Sequence, residues 1–250
     1  MDEAFSLEGQ LAVVTGGSRG IGFAIARAFV GAGARVVITA RNADQLREAE
    51  AAIGPNAIGK VCDNADLAQV ARTAAEAWRL QPVTILVNNA GVSSFYKRAE
   101  YVTVEEWDPA FAVNVRGTFF WSTEVARRLF EAGLPGSIIN ISSVAASHPL
   151  ERLSVYGATK AAMDQLTRSL ALEWADRGVR VNSIAPGWVD TDFTNDLFAS
   201  RWGEKLRADV PIGRVAAADD VTGAALYLAS GASAYVTGSV MTIDGGRSLR

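Results

Sequence analysis

Short runs of β-branched and apolar residues alternate along this chain with longer stretches in which apolar residues recur every three or four positions, and that alternation admits few folds. Strand, helix, strand in repetition is the mark of βαβ units, whose parallel strands must be covered on both faces by the connecting helices. The spacing predicts strands over Leu11–Thr15, Arg35–Thr39, Ala57–Val61, Val83–Asn88, Ser137–Ser142, Val179–Ala185 and Ser239–Ile243. Helices are predicted around 21–32, 44–53, 66–80, 105–132, 155–176 and 217–230. Asp66 and Thr103 are expected N-caps, the latter with Glu106 three residues on as in a capping box. The expected architecture is α/β: a single doubly wound Rossmann-type domain over residues 1–250, its seven-stranded parallel sheet flanked by helices on both faces. The stretch Pro186–Arg214 lacks clear periodicity and is expected to form a loop with one or two short helices, acting as a lid.

Composition narrows the partners. Twenty-four basic against 27 acidic side chains give a net charge of −3, which argues against nucleic acid, since a phosphate-binding surface normally shows as a basic excess. No run of about 18 apolar residues is present and the start, Met1-Asp2-Glu3-Ala4-Phe5, has no basic n-region, so no membrane span or secretion signal is expected. The single cysteine, Cys62, cannot form an intramolecular disulfide and is read as a small buried residue. A cytoplasmic location is the resulting expectation.

Between the first strand and the first helix stands Thr15-Gly16-Gly17-Ser18-Arg19-Gly20-Ile21-Gly22. Glycine at 16, 20 and 22 lets the chain turn sharply, admits a pyrophosphate close to the backbone, and allows helix to pack closely on strand. The spacing T-G-x-x-x-G-x-G resembles the short-chain dehydrogenase/reductase family. Further segments match in order: Asn88-Asn89-Ala90-Gly91, Asn114, Ser143, Tyr156-Gly157-Ala158-Thr159-Lys160, Pro186-Gly187 and Asp244-Gly245-Gly246. The resemblance spans Leu7 to Gly246. It implies a nicotinamide-dependent oxidoreductase, generally a homotetramer or a dimer, with subunits packed through the helices at 105–132 and 155–176 and through Val240–Gly246.

The cofactor is expected on Gly16, Ser18, Arg19, Gly20, Ile21 and Gly22 of the turn. The resemblance adds Asn89, Ala90 and Gly91, an adenine-edge contact at Asp63 and Asn64, and a P-G-x-x-x-T segment in which Pro186, Gly187, Val189 and Thr191 meet the carboxamide and phosphates. It also implies transfer of the pro-S hydride. The choice of nicotinamide is read from the end of the second strand, where a carboxylate would bind the ribose hydroxyls of NAD. Ala40 stands there instead, followed by Arg41, and with Arg19 a second guanidinium is placed to grip a 2′-phosphate. NADP(H) is therefore expected.

Tyr156 and Lys160, four apart on one helix, share a face. Reducing a ketone by hydride requires a proton donor at the carbonyl oxygen, and a phenol with pKa near 10 serves at neutral pH only if a cation stabilises the phenolate. Ser143 would polarise the substrate oxygen; the family's spacing to the tyrosine selects it over its neighbour Ser142. Asn114 resembles the family's helix asparagine in a proton relay to the lysine.

The substrate pocket is expected to be walled by Ser93 to Tyr96, Val144 to Leu153, Trp188 and the lid residues Phe193, Leu197, Phe198 and Trp202, which suits a medium-sized carbonyl compound with apolar surface. The only histidine, His148, could hydrogen-bond substrate, and no metal is expected, since it lacks partners. The reading is an NADPH-dependent ketone reductase, reversible as a secondary alcohol dehydrogenase. The alternatives are a 3-oxoacyl-[acyl-carrier-protein] reductase, a sugar or polyol dehydrogenase, and a catalytically silent NADP-binding sensor.

Overall fold

The structure, a computed structural model, describes residues 3–93, 96–191, 194 and 203–250. Seven strands form one parallel sheet: β1 (Leu11–Thr15), β2 (Arg35–Ala40), β3 (Ala57–Val61), β4 (Val83–Asn88), β5 (Gly136–Ile141), β6 (Val179–Pro186) and β9 (Val240–Ile243). Their order is β3-β2-β1-β4-β5-β6-β9. The two-residue strands β7 (Val189–Asp190) and β8 (Ala216–Ala217) pair separately. The helices are α1 (Gly20–Gly31), α2 (Ala43–Ile53), α3 (Leu67–Leu80), α4 (Val104–Phe111), α5 (Thr118–Ala132), α6 (Ser154–Trp174), α7 (Gly203–Ala208) and α8 (Thr222–Ala229).

The central strands β1, β2 and β4 are mostly apolar because both faces of the sheet are covered there. Ala12 and Val14 of β1 join one core layer with Ile25 and Phe29 of α1, Leu46 of α2 and Leu228 of α8. Leu11 and Val13, pointing the other way, join Val70 and Ala74 of α3, Trp121 and Leu129 of α5 and Leu170 of α6. Alternate residues of one strand thus feed two cores. Helix starts follow local chemistry: Asp66 accepts N–H bonds from Ala68 and Gln69, Asn42 does the same for Asp44 and Gln45, and the Thr103 N–H donates to Glu106 Oε2 at 2.9 Å.

One predicted element is divided. The helix expected over 105–132 is α4, then a π-helical stretch over Ala112–Gly117, then α5. The widened turn brings Asn114 inward, where its side chain accepts the Val92 N–H at 2.8 Å and donates to Val92 O at 2.9 Å and to Thr159 Oγ1 at 3.1 Å. It also seats Gly117 where a Cβ would lie 2.4 Å from the Asn64 carbonyl oxygen. A π turn at such a place is a common accompaniment of functional sites. Within Pro186–Arg214 the described residues are 186–191, 194 and 203–214, which include β7 and α7. Among the described residues no helix is long and apolar enough to cross a membrane, and no cluster of three metal-ligating side chains occurs.

Candidate active site

Strand order reverses between β1 and β4, so the loops leaving their carboxyl ends diverge and open a crevice. Thr15, the last residue of β1, ties the two loops together: its hydroxyl accepts the N–H groups of Asn89 and Ala90, each at 3.0 Å. The Asn89 side chain returns the link, donating to Thr15 O and Gly16 O at 3.0 Å. That clamp holds the glycine turn against the Asn89–Gly91 loop. Gly16 (φ 63°) and Gly20 (φ 56°) are left-handed, a backbone few other residues tolerate. A Cβ on Gly16 would lie 2.9 Å from Ala90 Cα.

The crevice is a cleft of about 1040 Å³ that runs from the glycine turn to α6. Gly16, Ser18, Arg19, Gly20 and Ile21 line one end. Gly22 lies beneath: a Cβ there would be 2.3 Å from Asn89 Nδ2, so its part is to let α1 approach the clamp. No side chain caps α1, so the start of that helix directly after the glycine turn is a setting suited to an anion. Arg41, exposed, lines the same end beside Arg19 and Ala40. Asp63 and Asn64 line it too. The Asp63 carboxylate accepts the Ala65 N–H at 2.9 Å, while Asn64 turns inward, its Oδ1 accepting from the Trp121 indole at 3.0 Å and its buried Nδ2 lacking a protein partner. Asn89, Ala90, Gly91, Pro186, Gly187, Val189 and Thr191 line the middle. Thr191 stands over the turn, its Cγ2 3.4 Å from where a Gly20 Cβ would be.

Ser143, Tyr156 and Lys160 meet at the far end. Ser143 begins the tight turn Val144–Ala146 that follows β5; its Oγ accepts the Ala145 N–H at 3.1 Å and hydrogen-bonds the Tyr156 phenol. Gly157, next to the tyrosine, lets α6 come close, since a Cβ there would be 2.9 Å from Ala145 O. Ser142 points the other way and donates to Lys160 O at 3.4 Å, so the neighbouring serines serve different sides. Lys160 Nζ donates to Ile141 O at 2.7 Å and lies 5.6 Å from the centroid of the Tyr156 ring. Asn114 lies behind the lining, near the lysine: a Cβ on Gly91 would be 3.4 Å from Asn114 Oδ1 and 3.6 Å from Lys160 Nζ.

Burial dominates the electrostatics here. It pushes the Tyr156 phenol up to about 12, with the Ser143 hydrogen bond working against it. It pulls the Lys160 ammonium down to about 8, opposed by the charge of Asp164 one turn along α6. Asp164 is itself raised by burial and eased by hydrogen bonds from Ser142 and Ser183. In the protein alone the expected stabilisation of a phenolate by the ammonium is therefore outweighed, because burial disfavours the charged form of both groups.

Ser93, Val144 and Trp188 line the far end, joined by Tyr96, Leu150, Arg152 and Leu153. His148 is placed away from the lining of the cleft. The turn at Val144–Ala146 carries it outward, its N–H bonding back to Val144 O at 2.8 Å, and its ring is exposed with Nδ1 3.0 Å from Ser147 Oγ, off the cleft lining. Phe193, Leu197, Phe198 and Trp202, with Ser94 and Phe95, lie outside the described residues. The clamp role of Thr15 and the placing of Asp164 beside the lysine come from the structure, although Asp164, four residues after Lys160, is legible by helical spacing.

Known proteins give the same outline. A family model described as "Enoyl-(Acyl carrier protein) reductase" matches residues 16–248. The chain is 38% identical to D-threitol dehydrogenase of Mycolicibacterium smegmatis, over 100% of this chain and 97% of that protein. It is 38% identical to the NADP-dependent (R)-specific alcohol dehydrogenase of Lentilactobacillus kefiri, over 96% and 97%. The crystal structure of a gluconate 5-dehydrogenase from Burkholderia cenocepacia J2315 in complex with NADP and tartrate superposes with a TM-score of 0.93 at 34% identity, covering 99% of this chain and 98% of that one.

Proposed function

The chain belongs to the short-chain dehydrogenase/reductase family of NAD(P)-dependent enzymes acting on CH–OH groups, and from that membership we propose that it reduces ketones, and reversibly oxidises secondary alcohols, with NADP(H). The observation that carries this reading is the meeting of Ser143, Tyr156 and Lys160 at one end of a cleft whose other end is a glycine cradle. The cradle fits a dinucleotide: Gly16 and Gly20 leave bare backbone at the turn, and the start of α1 offers uncapped N–H groups. When bound, the nicotinamide group supplies or accepts the hydride.

The chain's own residues would do the rest. Ser143 donates a hydrogen bond to the substrate oxygen and so places it beside the phenol. Tyr156 delivers its proton to that oxygen in reduction and takes it back in oxidation. Lys160, charged, favours the phenolate formed at that moment and is held at the site by Ile141 O. Asn114 fixes the Val92 backbone and Thr159 next to the lysine. The test is a panel of ketones with NADPH followed at 340 nm, in which consumption is expected for at least one carbonyl class; cofactor binding with no turnover of any carbonyl overturns the reading in favour of a silent sensor.

The preference for NADP(H) is supported by Arg19 and Arg41 at a cleft end where Ala40 replaces a carboxylate, by the name of the Lentilactobacillus enzyme and by the NADP in the Burkholderia structure. Arg41→Ala is expected to raise the Kd for NADPH by roughly tenfold or more and to leave NADH binding unchanged, read by calorimetry. Tighter binding of NADH by the unmodified protein would sink this assignment. A polyol substrate is the second reading, favoured by the D-threitol relative and by the hydroxyls of Ser93 and Tyr96 at the reacting end; erythritol and threitol oxidation with NADP belongs in the same panel.

A further inference from the structure

We propose that Arg152 forms an anion subsite at the reacting end of the cleft, so that the ketone or alcohol taken by this enzyme carries a carboxylate. The proposal rests on the ketone and alcohol reading above and adds the charge of the substrate.

Arg152 sits in the turn before α6, two residues ahead of Ser154, and it lines the cleft. It is the one non-glycine residue among those described with a positive φ, 66°. A left-handed backbone is disfavoured for a long side chain, and such positions persist where surrounding structure holds them, most often at binding sites. What the conformation achieves is placement. The guanidinium carbon lies 5.7 Å from the centroid of the Tyr96 ring, which lines the cleft from the loop beyond Gly91 on the opposing wall. An aromatic face orients the planar fork and leaves its N–H edge open for a second partner.

The surrounding charges agree. Among the described lining residues the reacting end holds two cations, Arg152 and Lys160, and no carboxylate. Lys160 is held beside Tyr156, donating to Ile141 O at 2.7 Å with its Nζ 5.6 Å from the ring centroid. The one acidic lining residue, Asp63, is at the glycine-turn end, where it accepts the Ala65 N–H. Among the described residues the acid paired with Arg152 is Glu151, its Oε1 3.9 Å from Nε and its side chain 79% exposed, a screened pair at the outer limit of contact that leaves the fork available. A guanidinium so placed matches a carboxylate in a bidentate fashion.

The probes are levulinate and methyl levulinate, ketones that differ in the charge of one group. With NADPH, kcat/KM is expected to be roughly tenfold higher for levulinate than for its ester. Arg152→Gly is expected to lower the levulinate value to that of the ester, bringing the ratio of the two from roughly tenfold to about one. Because glycine accepts the left-handed backbone, this variant keeps its Tm, which separates loss of the subsite from loss of the fold. Equal turnover of acid and ester by the unmodified protein, or an equal fall of both in Arg152→Gly, overturns the proposal. Failure of the underlying reading looks different, since then no ketone of either kind consumes NADPH. Calorimetric titration of levulinate still reads the subsite in that case: binding lost in Arg152→Gly supports it, and binding that is absent or identical in both proteins overturns it.

Discussion

Tyr156→Phe is expected to abolish ketone-dependent NADPH consumption, lowering kcat by about a thousandfold or more, because the variant keeps the ring and loses the phenol that hydrogen-bonds Ser143 at the reacting end. Affinity for NADPH and the Tm should change little, since phenylalanine fills the same space. Initial rates at 340 nm with a binding titration check this; a variant that keeps more than a tenth of its activity would show that the proton comes from elsewhere. The pH profile follows from the same group and its neighbour. With the phenol held near 12, Tyr156 stays protonated throughout the neutral range, and the group that titrates is Lys160 at about 8. Reduction is expected to be fastest below pH 8 and to decline above it as the ammonium loses its proton.

Stability should move the opposite way, because the folded pKa of Lys160 lies below its ordinary 10.5. Between about 8 and 10.5 the unfolded chain holds more protons at this residue than the folded one, so raising the pH through that window favours the fold. The cost of burying the cation is therefore present in full below pH 8 and fades above it. Comparing the Tm of the unmodified protein and Lys160→Met at pH 7 and pH 10 isolates the contribution, and the methionine variant should show the smaller rise.

Gly22→Ala is the second change with a large expected effect. One methyl group would sit 2.3 Å from Asn89 Nδ2 and 2.4 Å from Gly16 O, and the second of these is backbone that cannot swing away. Either α1 retreats from the sheet or the Asn89 clamp breaks. A loss of about 2–4 kcal/mol is expected, with NADPH binding lost along with the turn geometry. Gly223→Ala is the control, since its Cβ would meet nothing within 4 Å on a regular helix, and it should be neutral or stabilise by up to about 1 kcal/mol. Thermal unfolding of the two variants side by side decides the point; equal Tm values would mean that the turn has slack the geometry does not show.

Much of this fold was legible residue by residue. Strands β1 and β4 begin and end where the apolar runs do, because a strand covered on both faces is written as a nearly unbroken run and Gly, Asn or Asp punctuates it. Asp66 and Thr103 cap as expected because a cap needs only residues two or three positions on. The break at Ala112–Gly117 was not legible, since the groups that draw Asn114 inward are Val92 and Thr159, 22 and 45 residues away. The same holds for the division of labour between Ser142 and Ser143: adjacent in sequence, they differ in which part of α6 each one faces.

By itself the sequence determined what is local: the periodicity that selects a parallel sheet, the glycine turn between strand and helix, and the shared face of Tyr156 and Lys160. These follow from bond geometry and nearest-neighbour chemistry, which depend on spacing alone. Only the tertiary structure decided direction and burial. It turned His148 out to solvent, set Arg152 over Tyr96 with a left-handed backbone, and surrounded the Tyr156 phenol and the Lys160 ammonium closely enough to drive one pKa up and the other down. The physical reason is that a side chain's solvation and partners are supplied by segments distant in the chain, and they exist only once the sheet has brought those segments together.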